Sequence, residues 1–376
     1  MNLKSLLLCS DEKIVRVLRR TLGDLDIKVE LCADADTALR KLTRERFEAI
    51  IVDCAGPGAA AVLRSTRTAP CNKRAIAVAI LDAEMGLRSA FDLGAHFTLY
   101  KPVSVEKSKS SFRAARALMK KERRRNERVP VNIPVEMSSR ESGARIKANT
   151  IDLGEGGLAL NLPRRSKPQG RWEVGLTLPG SDKPLKMEAE FAWEGTGTQV
   201  GLRFENQSPE TARQLREWLG KNAPDVEKDD PPVACRLTHL TLGGCYLELF
   251  SPFPASTRVT LSMTAGDVDL KTEGVVRVMH ADKGMGVEFT RTTPEHRAML
   301  EKFLALLAEN RDLQPELLVE PEGLEIDTWN AAPAVDDDKD VLLELFRSQA
   351  GLPAEAFLEK LGKQRGLDSV TVGASA

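Results

Sequence analysis

The chain is poor in the residues from which most catalytic and metal centres are built. Its four histidines, His96, His239, His280 and His296, stand at no ligand spacing, so a set of side chains converging on one ion is not expected. Six cysteines (Cys9, Cys32, Cys54, Cys71, Cys235 and Cys245) are scattered without a CxxC pair, several of them in apolar runs. That pattern reads as reduced core thiols and not as a disulfide framework. No glycine loop has Walker spacing, and no Ser/His/Asp or Cys/His arrangement stands out, so the chain is not read as an enzyme. With two tyrosines in the whole chain there is no evident stacking series for single-stranded nucleic acid, the least favoured partner class. The formal net charge is -1, which gives no bulk attraction to polyanions or membranes. No apolar run approaches about 18 residues, and the segment from Met1 to Leu8 turns polar too soon for a signal peptide. Membrane insertion is therefore not expected, and a cytoplasmic location is.

What is present points to several domains. A chain of 376 residues with 42% hydrophobic content is ordinary for roughly two to three packed domains. In its first third, short apolar runs alternate with helical patterns. Leu6-Leu7-Leu8-Cys9 reads as a buried strand, and Ile14, Val15, Leu18 and Leu22 follow at helical spacing. Further runs are Ala49 to Val52, Ala75 to Leu81 and Phe97 to Tyr100. Such alternation implies a parallel α/β sheet, whose functional crevice lies at the carboxyl ends of the strands. Ser10, Asp11, Asp53, Asp82 and Lys101 all fall there.

From Val129 the period changes to two. Val129, Val131, Ile133, Val135 and Met137 alternate with polar or turn residues, as do Leu185, Met187, Ala189, Phe191 and Trp193, which predicts half-buried antiparallel strands. Ser208-Pro209-Glu210 opens a helix with Leu215, Trp218 and Leu219 on its apolar face. The landmarks then repeat. Gly201-Leu202-Arg203-Phe204 and Pro209-Glu210 recur 85 residues on as Gly286-Val287-Glu288-Phe289 and Pro294-Glu295, and Gly156-Gly157 recurs 87 residues on as Gly243-Gly244. Two copies at nearly one offset mean tandem domains and not a solenoid.

The expected boundaries are 1–118 for the α/β domain, 119–128 for a helix extension with an arginine-rich motif, and 129–221 for the first β-domain. A linker at 222–231, the second β-domain at 232–308 and an acidic, Pro-rich tail at 309–376 follow. The tail reads as largely disordered, with short amphipathic helices at Val341 to Phe346 and Ala354 to Leu361. These form a hairpin that either docks a protein partner or packs on its own chain.

Arg124-Arg125-Asn126-Glu127-Arg128 precedes the first alternating strand. Asp152-Leu153-Gly154-Glu155-Gly156-Gly157 begins 24 positions after Arg128. Guanidiniums grip phosphate and guanine edges through parallel hydrogen bonds, a carboxylate accepts from base amines, and glycines admit close approach. The combination reads as a clamp for a small anionic nucleotide. Taken alone, the run Lys120 to Arg125 reads more simply as a solvated helix end.

Residues 1–118 resemble the receiver domain of two-component signalling in Asp53, Asp11 and Lys101-Pro102. The resemblance implies a (βα)5 fold, Asp53 as phosphoacceptor, Asp11 as a support for Mg²⁺ should phosphorylation occur, and Lys101 against the phosphate. Ser10 and Asp82 depart from the pattern, standing where the family has an acid and a Thr or Ser. A degenerate receiver kept for dimerisation or docking is the favoured reading. Residues 123–221 and 230–308 resemble the PilZ domain, a small β-barrel with a C-terminal helix that binds cyclic di-GMP. In the first copy the resemblance assigns ligand contacts to Arg124, Arg125, Arg128 and Asp152, with Gly154 in place of a ligand-holding Ser and Gly157 keeping the turn open. In the second copy His239 replaces the Asp, and Glu227 to Pro232 replaces the arginines, so no ligand is expected there. The chain as a whole reads as a cyclic di-GMP-binding effector of a bacterial two-component or second-messenger pathway. The alternative is a ligand-independent interaction scaffold.

Overall fold

The computed structural model describes residues 3–69, 71–82, 87–125, 127–139, 143–164, 168, 170–205, 207–222, 230–280, 283–290, 293–310, 313–324, 340–349, 352, 354–363 and 370–371. Asn126, most of the expected linker and Asp336-Asp337-Asp338 lie outside these. The chain divides into two compact units, one of residues 123–228, the other of residues 2–122 together with 229–376.

The second of these units begins with β1 (Leu3–Leu8), α1 (Glu12–Gly23), β2 (Ile27–Cys32), α2 (Ala35–Arg44), β3 (Ala49–Asp53), α3 (Ala59–Thr68), β4 (Ile76–Leu81), α4 (Leu87–Asp92), β5 (Phe97–Tyr100) and α5 (Val105–Arg125). The five strands are parallel in the order β2-β1-β3-β4-β5, one of the two common doubly wound orders. Successive strand residues face opposite layers. Leu7, Ile51 and Val78 pack with α1 and α5, whereas Leu6, Ile50 and Ala77 pack with α2 and α3. Burial on both faces is why the central strands read as unbroken apolar runs. Strand β2 is at the edge, half-exposed, and so carries no such run.

The other unit is a barrel. It contains β6 (Arg128–Pro130), β7 (Pro134–Ser139), β8 (Arg145–Gly154), β9 (Gly157–Asn161), β10 (Arg171–Thr177), β11 (Pro184–Glu194), β12 (Gln199–Glu205) and α6 (Pro209–Asn222). The strand order is β6-β8-β7-β10-β11-β12-β9, and a further β8–β9 pairing closes six strands into a ring with β6 outside it. The sequence reads as one strand from Val129 to Met137, but the structure makes two. Pro130 and Pro134 have no N–H to continue a ladder. The break is bridged by Thr150, whose Oγ1 accepts from Ile133 N at 2.8 Å. The expected alternation also fails at the end of β11. A bulge between Phe191 and Trp193 turns Trp193 outward, 42% exposed, with its ring over Gly201.

The remaining strands are β13 (Val233–Ala234), β14 (Arg236–Leu240), β15 (Gly244–Glu248), β16 (Thr257–Ala265), β17 (Val268–His280) and β18 (Gly284–Phe289). They are followed by α7 (Pro294–Glu309), β19 (Glu316–Leu324), α8 (Val341–Gln349), α9 (Ala354–Lys363) and β20 (Val370–Thr371). The strand order is β13-β19-β16-β17-β18-β15-β14-β20, an open half-barrel. The repeat is visible in the register: Arg203 pairs Gly157 in the first copy and Glu288 pairs Gly244 in the second.

The stretch expected as a tail supplies two strands and two helices to this half-barrel. Strand β19 pairs with β16 over eight residue pairs, the position that β7 holds beside β10 in the first copy. Strand β20 pairs Thr371 with His239, as β6 pairs Pro130 with Asp152. The amphipathic hairpin packs on its own chain. Phe346, Phe357 and Leu361 of α8 and α9 are buried with Tyr246 and Val278. The run Lys120 to Glu122 is not a solvated helix end either. Glu122 is 3% exposed, and its carboxylate accepts from Leu324 N at 2.7 Å and pairs Arg74 at 3.2 Å. Lys120 and Arg116 both pair Asp230.

Candidate functional site

In the barrel of residues 123–228, α5 ends in a turn closed by the Glu127 N–H to Arg124 O bond of 2.9 Å. The chain then enters β6, where Arg128 lies opposite Gly154 and Pro130 opposite Asp152. This register brings two of the expected residues together. Arg128 Nη1 donates to Asp152 Oδ1 at 2.7 Å, and the side chains are 39% and 25% exposed. Among the described residues this is the one hydrogen bond either side chain makes. A guanidinium has five donors and a carboxylate two oxygens, so both groups keep capacity for a ligand. Arg124 sits in the last turn of α5; the Arg125 side chain lies outside the described residues.

Two of the three glycines of the motif, Gly154 and Gly157, are required by backbone packing. A Cβ on Gly154 would fall 2.8 Å from Glu127 O and 3.2 Å from Arg128 Cγ, and one on Gly157 would fall 2.2 Å from Leu202 O. Gly154 thus lets β6 lie on β8, and Gly157 lets β9 close the ring on β12. The space a Ser side chain would take at 154 is occupied by the chain carrying Arg128. Gly156 has open space around it. Two residues that sequence patterns did not single out hold the intervening turn: Gln207 donates to Glu155 O at 3.0 Å, and Arg216 lies 3.9 Å from the Glu155 carboxylate. Nothing local in the sequence marks them, because both come from beyond β12.

The matching turn of the half-barrel is covered by its own chain. Asp340 Oδ2 accepts from Gly243 N at 3.0 Å while its Oδ1 caps α8 through Leu342 N and Leu343 N. Leu343 stands where a Cβ on Gly243 would go, and the Phe346 ring where one on Gly286 would. Arg347 and Arg277 pair opposite oxygens of Glu288. His239 is 6% exposed within β14.

At the strand ends of the parallel sheet, Asp53 is nearly buried and Lys101 Nζ lies 2.8 Å from its Oδ1 and 3.3 Å from Asp82 Oδ1. Burial opposes the Lys101 charge, but the Asp53 and Asp82 contacts outweigh it and its pKa is raised. Cys9 Sγ faces Asp53 Oδ2 at 3.5 Å; burial first, and then the nearby carboxylates, push this thiol up to about 11. Asp11 is turned to the N-terminus of α1, its Oδ1 accepting from Lys13 N at 2.8 Å and Ile14 N at 3.3 Å. The donor set does not fit Mg²⁺. The carboxylates of Asp53 and Asp11 are engaged, Ser10 replaces an acid, and no cluster of three candidate ligands occurs among the described residues.

Residues 122–221 and 223–306 each match the PilZ domain family. No curated relative matches the sequence. Among solved structures, the receiver domain of a Pseudomonas aeruginosa sensor histidine kinase, solved with magnesium in its active site cleft, is 27% identical. The match covers 28% of this chain and 91% of that one, with a TM-score of 0.26. The chemotaxis response regulator CheY4 of Vibrio cholerae is 23% identical over 31% of this chain and 99% of its own, with a TM-score of 0.29. The PilZ domain of CeSA from a cellulose-synthesizing bacterium is 19% identical over 26% of this chain and 97% of its own, with a TM-score of 0.22. No helix among the described residues is long and apolar enough to cross a membrane.

Proposed function

For a chain that carries two PilZ domains behind a receiver-like α/β domain, we propose that the first PilZ domain holds cyclic di-GMP and makes the protein a second-messenger effector. The observation that carries this reading is the Arg128–Asp152 pair, a cation and a carboxylate preset at 2.7 Å on adjacent strands with unused donors and acceptors. Arg124 and Arg125, at the end of α5, would add charge to the phosphates, and Asp152 would accept from guanine nitrogens. The second PilZ domain is structural: its Asp is His239, and α8 covers the turn. The receiver-like domain is a non-phosphorylated docking element, because a phosphoryl group on Asp53 would meet the Asp82 carboxylate across Lys101.

Titration calorimetry of the full chain with cyclic di-GMP tests the assignment. A charge-assisted contact contributes about 1.5–3 kcal/mol, so Arg128→Ala is expected to weaken binding roughly tenfold to a hundredfold. An unchanged affinity in Arg128→Ala and Asp152→Ala would move the ligand elsewhere. Absence of binding by the wild type would leave the scaffold reading.

A further inference from the structure

The unit formed by residues 2–122 and 229–376 contains a half-open cleft of about 900 Å³ between α5 and the half-barrel. Part of its wall is apolar, formed by Leu25, Leu249 and Phe253, all buried. At its rim stands Phe250, 82% exposed. The ring also lines the cleft, so an incoming group can reach its face. The loop carrying it is fixed to α5, since Ser110 Oγ donates to Phe250 O at 2.9 Å and meets Ser251 Oγ at 2.9 Å.

The charges of the cleft do not balance. Its three carboxylates are all matched: Asp230 by Arg116 and Lys120, Glu320 by Lys121, and Glu248 by Arg236. Arg113 and Lys283 also line it, both exposed, and neither side chain has an ion pair or hydrogen bond among the described residues. Arg113 is one helical turn from Ser110. Lys283 is joined to the other side of the same loop, where Leu249 N donates to Lys283 O at 3.3 Å. Two uncompensated cations therefore flank one exposed aromatic ring at the mouth of an apolar cleft.

We propose that this cleft is a second ligand site, separate from the Arg128–Asp152 pair, for a small aromatic anion. Its ring packs on Phe250 and the apolar wall, and its phosphate, carboxylate or sulfonate lies between Arg113 and Lys283. Cleft size and lining match small-molecule sites, which combine apolar walls with a few convergent polar groups. Two unpaired cations select an anion, and an aromatic platform selects a flat body.

Fluorescence titration of the full chain with 1-anilinonaphthalene-8-sulfonate, repeated with GMP as competitor, tests the site. One saturable site per chain is expected, weakened at least tenfold in Arg113→Glu, Lys283→Glu and Phe250→Ala and unchanged in Arg128→Ala. Displacement by GMP assigns the site to nucleotides, and lack of displacement to aromatic acids without a nucleoside. All three side chains are exposed, so circular dichroism and the melting midpoint should stay at wild-type values. The proposal is overturned if the three variants bind the dye as the wild type does, or if Arg128→Ala loses binding equally.

Discussion

Replacing Gly154 by Ser restores the residue that the PilZ resemblance expects at this position, and the structure predicts that it harms the protein. The added Cβ would lie 2.8 Å from Glu127 O and 3.2 Å from Arg128 Cγ. The Arg128 side chain can rotate away, but a backbone carbonyl cannot. Relief requires β6 to lift from β8, and β6 is only three residues long. Overpacking of this kind costs about 1–3 kcal/mol. In a domain of roughly 100 residues that lowers the melting midpoint by roughly 4–24 °C. Trp172, Trp193 and Trp218, three of the four tryptophans, lie in this barrel, so intrinsic fluorescence reports its unfolding. Trypsin cleavage at Arg128 should accelerate, because this arginine leaves the sheet. Gly154→Ala should lose as much stability as Gly154→Ser, since the clash belongs to the Cβ and not the hydroxyl. Wild-type midpoints and cleavage rates in both variants would refute the close packing of β6 on β8.

Further outcomes follow from the half-barrel and the receiver-like domain. Phe357 is fully buried, 4.5 Å from the His280 ring centroid, and Phe357→Ala should cost about 3–5 kcal/mol, releasing the α8–α9 hairpin to early proteolysis. Burial, partly opposed by the Leu352 backbone, depresses the His280 pKa from 6.5 to about 4. The unfolded chain therefore takes up this proton first, so the stability is full above pH 6.5 and is lost as pH falls through about 4; His280→Gln should flatten that part of the melting-versus-pH curve. Acetyl phosphate with magnesium should leave the intact mass unchanged, and a phosphorylated Asp53 would show that Asp82 and Lys101 tolerate the added charge.

The fold was legible wherever a local pattern stated burial. Alternating apolar runs and helices gave the parallel sheet, because strands covered on both faces need no polar positions. Paired landmarks at Gly156-Gly157 and Gly243-Gly244 gave the two PilZ copies. The candidate site was legible as residue types, because Arg128 and Asp152 carry the chemistry themselves. Their contact was not, since it depends on the register that sets Pro130 opposite Asp152.

Tertiary structure alone decided three things. Residues 316–324, 340–349, 354–363 and 370–371 pack with the strands of the second PilZ domain, because their partners lie far along the chain, as Asp340 does from Gly243, 97 residues away. No local pattern names so distant a partner. Lys120 and Glu122 on α5 became buried because Asp230 and the Leu324 N–H come back to meet them; helical period shows a polar face without showing what covers it. Gly154 changed meaning for the same reason. By sequence it is a missing hydroxyl, whereas in the barrel its absent side chain is the space through which the Arg128 strand passes.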